Sequence, residues 1–334
     1  MAITSLAKSM IKQGKNVINF GAGEPDFDTP APIKEAAKAA INSGFTKYTP
    51  ASGMLEFKQA ISDKFLRDNK LRYNPEQIVV SCGAKHALYN IFQVICNSGD
   101  EVLTISPYWV SYPEMVRLAG AKPVTITTNE SRGFKLNVKD LKRKISKKTR
   151  ALILNSPSNP AGVVYDKAEL EEIADIAVSN KIYIISDEIY EKLIYDDERH
   201  ISIASLRKDI YKLTITINGV SKTYSMTGWR IGYLGAQPAI SKAVSILQSH
   251  STSNPASISQ KAALKALNID ESIVQKMCAE FERRRDYMIE RLDEIESLTY
   301  TKPRGAFYIY CNIKNSGIKA RDFAKNLLEE KLVA

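Results

Sequence analysis

The chain has 334 residues, more than one hydrophobic core usually serves, and this length implies two domains. Hydrophobic residues make up 44% and charged residues 25%, the balance of a globular protein, and no apolar run approaches the roughly 18 residues that would argue for a transmembrane helix. The net charge is +10, concentrated in KLNVKDLKRKISKKTR (135–150), but no aromatic side chains interleave there to stack on bases, so the stretch reads as a solvated helix and loop rather than a nucleic-acid surface.

The opening MAITSLAKSMIKQGK is too polar for a secretory signal, and its apolar spacing predicts a short amphipathic helix. NVINF (16–20) reads as a strand. Thr29-Pro30 then caps a helix, APIKEAAKAAINS, that stops at Gly44. QIVVS (77–81) is a strand, followed by Gly83 and the helix AKHALYNIFQVI. Further strands are EVLTIS (101–106), KPVTITT (122–128), ALILN (151–155), KIYIIS (181–186), KLTITI (212–217) and GWRIGYLGA; KAELEEIADIAVSN (167–180) is the clearest helix among them. Beyond about residue 257 the pattern changes to a long charged helix, ESIVQKMCAEFERRRDYMIERLDEIES, a short strand, AFYIYCNI, and a helix, RDFAKNLLEEK. Strands alternating with helices predict βαβ units and a mostly parallel sheet covered on both faces.

Four cysteines (Cys82, Cys96, Cys278, Cys311) include no C-x-x-C pair and read as reduced cytoplasmic thiols. His86, His200 and His250 are not spaced as metal ligands, so no metal is expected.

Ligands of open α/β sheets bind beyond the carboxyl ends of the strands, so the residues after each strand carry the chemistry. After QIVVS, Gly83 and a helix N-terminus form an anion-binding turn, although a glycine there can simply make the bend. After EVLTIS, Trp109 can stack on a flat ring or pack under its loop. After ALILN, the N-S-P-S-N-P unit is a rigid loop with scope for cis X-Pro bonds, and it can aim the Asn159 amide at a ligand; a plain turn is the other reading. After KIYIIS come Asp187, a carboxylate needing a cationic partner, and Tyr190. Neighbouring Glu188 should face the opposite way. After KLTITI come Lys222 and Arg230. Surface placement is the usual fate of a lysine, but one held between apolar strands has a lowered pKa and a more nucleophilic amine. Together these groups ask for a flat pyridine aldehyde bearing a phosphate, pyridoxal 5'-phosphate (PLP). The lysine meets the aldehyde and the carboxylate meets the ring nitrogen. The amide and phenol meet the ring hydroxyl, and the arginine and helix N-terminus meet the phosphate.

With these residues in place, the chain resembles the class I PLP-dependent aminotransferases of fold type I, in particular the bacterial aspartate and aspartate/prephenate enzymes. The likeness runs through GAGEPDFDTP, KYTPASGM, CGAKHAL, SPYWVSYPEMVRLAG, NSPSNPAG, SDEIYE, NGVSKTYSMTGWRIGY, QSHSTSNP and GAFYIY. It implies a large domain (31–262) with a mostly parallel central sheet covered by helices. A smaller α+β domain (263–334), shortened relative to the family, would be joined by an N-terminal segment (1–30).

By resemblance, Lys222 is the Schiff-base lysine and proton shuttle, and Asp187 the pyridinium partner. Tyr190 and Asn159 bond the ring hydroxyl, and Trp109 stacks on the ring. Gly83, Ala84, Lys85 and Arg230 hold the phosphate, and Tyr48 reaches the phosphate of the other subunit, implying a homodimer with shared active sites. Gly23 lies near the substrate carboxylate, and Lys85 is the candidate for the distal carboxylate of a dicarboxylic substrate. Ala161 stands where the family's N-P-T-G motif has threonine. The family's arginine for the substrate α-carboxylate, which follows a V-V-P-G-like segment, is absent from these 334 residues. The implied reaction is ping-pong amino transfer between L-aspartate and 2-oxoglutarate. Prephenate as the acceptor, another PLP reaction, and a non-catalytic PLP-binding module are the alternatives.

Overall fold

The computed structural model describes residues 2–334. Its centre is a seven-stranded sheet: β1 (Ile78–Ser81), β2 (Glu101–Ser106), β3 (Lys122–Thr127), β4 (Thr149–Asn155), β5 (Tyr183–Asp187), β6 (Thr214–Gly219) and β7 (Gly232–Gly235), in the order β1-β7-β6-β5-β4-β2-β3. Pairs β2–β3, β2–β4, β4–β5 and β5–β6 are parallel; β7 runs antiparallel to both β6 and β1.

Strand alternation sends successive residues to opposite faces, and both faces of the central strands are covered, which explains apolar runs such as Ala151–Leu154 and Ile184–Ile185. In β4, Ala151 and Ile153 join Leu88, Ile91 and Phe92 of the helix Ala84–Ile95, whereas Leu152 and Leu154 join Leu170, Ile173 and Ala174 of the helix Lys167–Asn180. Beneath β1 and β7, Ile78, Val80 and Tyr233 pack with Phe57, Ile61 and Phe65 of the helix Leu55–Asn69. That helix escapes the sequence reading because its apolar stripe is interrupted by Lys58 and Lys64, both buried.

Four predicted strands change on folding; of GWRIGYLGA only β7 (Gly232–Gly235) is extended, and the segment's first two residues lie in a 3-10 turn. NVINF makes only an isolated bridge, Ile18 to Val333, with Ile18 N–H donating to Leu332 O at 2.8 Å and Phe20 N–H to Ala334 O at 2.7 Å. AFYIYCNI contributes only β9 (Cys311–Asn312), paired with β8 (Thr299–Tyr300); its first residue, Ala306, sits in the left-handed region at φ 59°. KLTITI yields its first two residues to the short helix Lys208–Leu213 and begins at Thr214. Thr29 does not cap its helix. Pro30 takes that position, and the Thr29 hydroxyl donates to Ser225 O at 2.7 Å and accepts from Trp229 Nε1 at 2.9 Å. The Ser156-Pro157 and Asn159-Pro160 bonds are cis, as is Ser106-Pro107.

The helix Ala2–Lys12 packs through Ala7 and Met10 on Leu328 of the helix Ala320–Lys331, so the two ends of the chain share one small apolar cluster. The 23-residue helix Glu271–Asp293 is N-capped by Asp270, which accepts from Ser272 N at 2.9 Å. Among the described residues no helix is long and apolar enough to cross a membrane.

Candidate active site

The carboxyl ends of the parallel strands open onto a cleft of about 530 Å³, a size suited to a small ligand. Gly23, Ala84, Lys85, Trp109, Asn159, Asp187, Tyr190, Lys222 and Arg230 all line it. Gly83 lies immediately beneath Arg230. Its φ is 89°, and a Cβ there would come within 2.4 Å of Arg230 Nη2, so only glycine leaves the guanidinium its place. Tyr48 is outside the cleft and 90% exposed.

Asp187 closes β5 and is only 3% exposed. Burial raises its carboxyl to about 6, although hydrogen bonds from Tyr112 and from the Ile189 N–H pull the other way. The Tyr112 hydroxyl donates to Oδ2 at 2.6 Å. Asn155, the register partner of Asp187 on β4, donates Nδ2 to the Asp187 carbonyl at 2.9 Å and accepts from Asn159 N–H at 2.8 Å. The strand end and the proline-rich loop are thereby tied together.

The Tyr190 hydroxyl lies 2.7 Å from that of Tyr308, and Asn159 Nδ2 lies 3.4 Å from the same Tyr308 oxygen. Tyr308 also reaches Gly23, where a Cβ would sit 2.8 Å from its hydroxyl. Burial raises both phenols, Tyr308 to about 12, so both remain neutral donors at neutral pH. Trp109 packs edge-on against Tyr112 at 5.4 Å, and the Lys85 ammonium sits 4.7 Å over its indole.

Lys222 follows β6 on the turn 220–226. Burial is the main cause that lowers its amine to about 8, and Arg230 adds to the effect while Glu24 and Asp187 oppose it. Its Nζ donates to Gly23 O and lies 5.4 Å over the Phe307 ring. Arg230 has a left-handed backbone at φ 56° and donates to Thr227 O at 2.8 Å and Cys82 O at 3.3 Å, which aims its guanidinium at the N-terminus of the helix Ala84–Ile95.

The donor set fits PLP. A deeply buried carboxylate, an amine of lowered proton affinity, and an arginine beside free helix N–H groups match a ring nitrogen, an aldehyde and a phosphate.

Sequence reasoning missed Tyr112, Asn155 as a brace, and Tyr308. Tyr112 had a local signal, since it lies three residues after Trp109, at the start of the helix Ser111–Leu118. Tyr308 had none, because its approach depends on how the segment after residue 305 folds back over the sheet edge.

Residues 15–334 match the family described as aminotransferase class I and II. The chain is 49% identical to an aspartate aminotransferase of a Bacillus species (strain YM-2), covering 100% of this chain and 86% of that protein. It is 44% identical to the aspartate/prephenate aminotransferase of Cereibacter sphaeroides, with the same coverage. The solved aspartate aminotransferase of Thermus thermophilus with maleate superposes with a TM-score of 0.94 at 42% identity, over 100% of this chain and 86% of that one. The chain belongs to the class I and II aminotransferases of fold type I, and is a PLP-dependent transaminase.

Proposed function

We propose that this aminotransferase moves the amino group of L-aspartate to 2-oxoglutarate, giving oxaloacetate and L-glutamate. The observation that carries the reading is the convergence of Lys222 and Asp187 in one cleft that Lys85 also lines. The names of the relatives support the choice of aspartate. Prephenate as acceptor is the second reading, favoured by relatives named for it.

PLP supplies, when bound, an electron sink that acidifies the substrate Cα–H. Lys222, with its amine lowered to about 8, would accept the substrate Cα proton and later give it back. Asp187, ionised above about pH 6, holds a proton on the ring nitrogen. Tyr190 and Asn159 are placed for the ring hydroxyl, and Trp109 for the ring face. Gly83, Ala84 and Arg230 serve the phosphate. Gly23 serves the substrate carboxylate, and the exposed ammonium of Lys85 serves its distal carboxylate. The 90% exposure of Tyr48, with Leu55 71% and Val110 75% exposed, supports a homodimer in which Tyr48 enters the partner's cleft. Four free cysteines support a reducing, cytoplasmic setting.

The test is the absorbance spectrum of the PLP-loaded protein before and after L-aspartate. Conversion to the pyridoxamine spectrum, reversed by 2-oxoglutarate, is expected. A spectrum indifferent to aspartate but responsive to another amino acid would overturn the substrate assignment.

A further inference from the structure

Behind β5, on the side away from the cleft, lies a second set of buried polar groups. Asp187 and Tyr190 line the cleft, whereas Glu188 and Glu191, one residue on from each, do not. Glu188 is 1% exposed. Its Oε1 accepts from the hydroxyls of Ser186 at 2.8 Å and Ser202 at 2.7 Å. Its Oε2 meets His200 Nε2 at 2.9 Å and Asn69 Nδ2 at 3.2 Å. Its backbone N–H donates to Ile217 O of β6 at 2.9 Å. Glu191, 7% exposed, accepts from Asn69 Nδ2 at 2.6 Å and pairs with the Lys64 ammonium, which also donates to Asn69 Oδ1 at 2.7 Å. Carboxylate and imidazole atoms of Glu188, Glu191 and His200 lie within 4.8 Å of one another, and the ammonium paired with this group belongs to Lys64.

A buried carboxylate is tolerated only when its oxygens are satisfied. Glu188 has two donors on each oxygen, so a single side-chain placement meets them all. Those donors come from three places: the helix Leu55–Asn69, the loop at 200–202 and β5 itself. Residues adjacent in an extended chain share a planar peptide, so fixing Glu188 fixes the peptide that also carries Asp187. Buried charged groups contribute little net stability against an apolar replacement, and one attested use for them is to specify a unique arrangement.

We propose that Glu188 is a positioning residue: held by Ser186, Ser202, His200 and Asn69, it locks the 187–190 turn so that the Asp187 carboxylate and Tyr190 phenol keep their places in the cleft. The proposal rests on the roles given above to Asp187 and Tyr190.

The test compares PLP-loaded wild type, Glu188→Gln, Ser202→Ala and Leu170→Ala. Glu188→Gln preserves shape but turns one acceptor oxygen into an NH2, which the Ser186 and Ser202 hydroxyls can meet only by reversing from donors to acceptors, so the present set of bonds is lost. Ser202→Ala removes one donor with little change of volume and serves if Glu188→Gln does not fold. Leu170→Ala truncates a remote core side chain and reports what lost stability alone does. Each protein is read for melting temperature, kcat and KM with aspartate, and the pH midpoint of the bound-cofactor absorbance. The expected result is a fall in kcat of about tenfold to a hundredfold for Glu188→Gln, with KM within about threefold of wild type. The absorbance midpoint should move by about half a pH unit or more. Ser202→Ala should show smaller changes of the same kind, and Leu170→Ala neither change. Unchanged kcat and midpoint in Glu188→Gln, or in Ser202→Ala if that alone folds, would overturn the proposal, as would matching changes in Leu170→Ala. A wild type that binds no PLP would overturn the site reading and this inference with it, so the two failures are distinguishable.

Discussion

The hydroxyl of Tyr112 donates to Asp187 Oδ2 at 2.6 Å, between two groups that are both buried. This bond opposes the burial that leaves the carboxyl raised to about 6. Tyr112→Phe removes the one side-chain donor that opposes burial, so the Asp187 pKa should rise. Activity that depends on ionised Asp187 is then lost at higher pH as the medium is acidified. A hydrogen bond to a charged group contributes about 1.5–3 kcal/mol, so the acid limb of the kcat/KM profile should move up by about one pH unit or more. A limb at its wild-type position would contradict the assignment of that limb to Asp187.

The amine of Lys222 is lowered to about 8 chiefly by burial. Only the neutral amine attacks an aldehyde. The rate of PLP uptake by the cofactor-free protein should therefore rise with pH through a midpoint near 8, well below that of a free lysine. Stopped-flow absorbance after mixing reads this directly. Lys222→Ala should abolish transamination, and substantial residual turnover in that variant would exclude Lys222 as the proton shuttle.

Gly83 combines φ 89° with contact to Arg230. Gly83→Ala places a methyl against the guanidinium and forces a non-glycine residue into backbone space that costs about 1–3 kcal/mol. The dissociation constant for PLP, measured by equilibrium dialysis, should weaken by about tenfold or more. Tight PLP binding by this variant would show that Arg230 does not need its present position.

Lys85 is exposed at the cleft, over Trp109. Lys85→Met keeps the stem and removes the charge. If Lys85 meets a distal carboxylate, kcat/KM for aspartate should fall by about tenfold, while that for alanine, which lacks the second carboxylate, should stay within about twofold. Equal losses for both amino acids would assign Lys85 to general packing at the cleft mouth.

The cleft was legible because its chemistry sits at strand ends, and a strand end is a local feature. Apolar runs mark the strands, alternation says which neighbour faces which way, and Asp187 and Glu188 do separate as expected. Less legible were short or broken elements. NVINF has strand composition but forms only the Ile18–Val333 bridge, and AFYIYCNI pairs only through Cys311 and Asn312. In both, whether the backbone hydrogen bonds find partners decides the outcome, and that is settled by distant residues.

By itself the sequence determined the α/β architecture, most strands of the central sheet, and the strand-end groups that meet in the cleft. These follow from periodicity and from residues within a few positions of each strand. Only the tertiary structure decided what braces those groups. Tyr308 reaches Tyr190 from 118 positions away. Tyr112 reaches Asp187 because β2 and β5 both flank β4. Glu188 finds Asn69 across 119 positions. Contacts of this kind are set by the lateral order of the strands and by which helices pack on each face, and local preference carries no record of either.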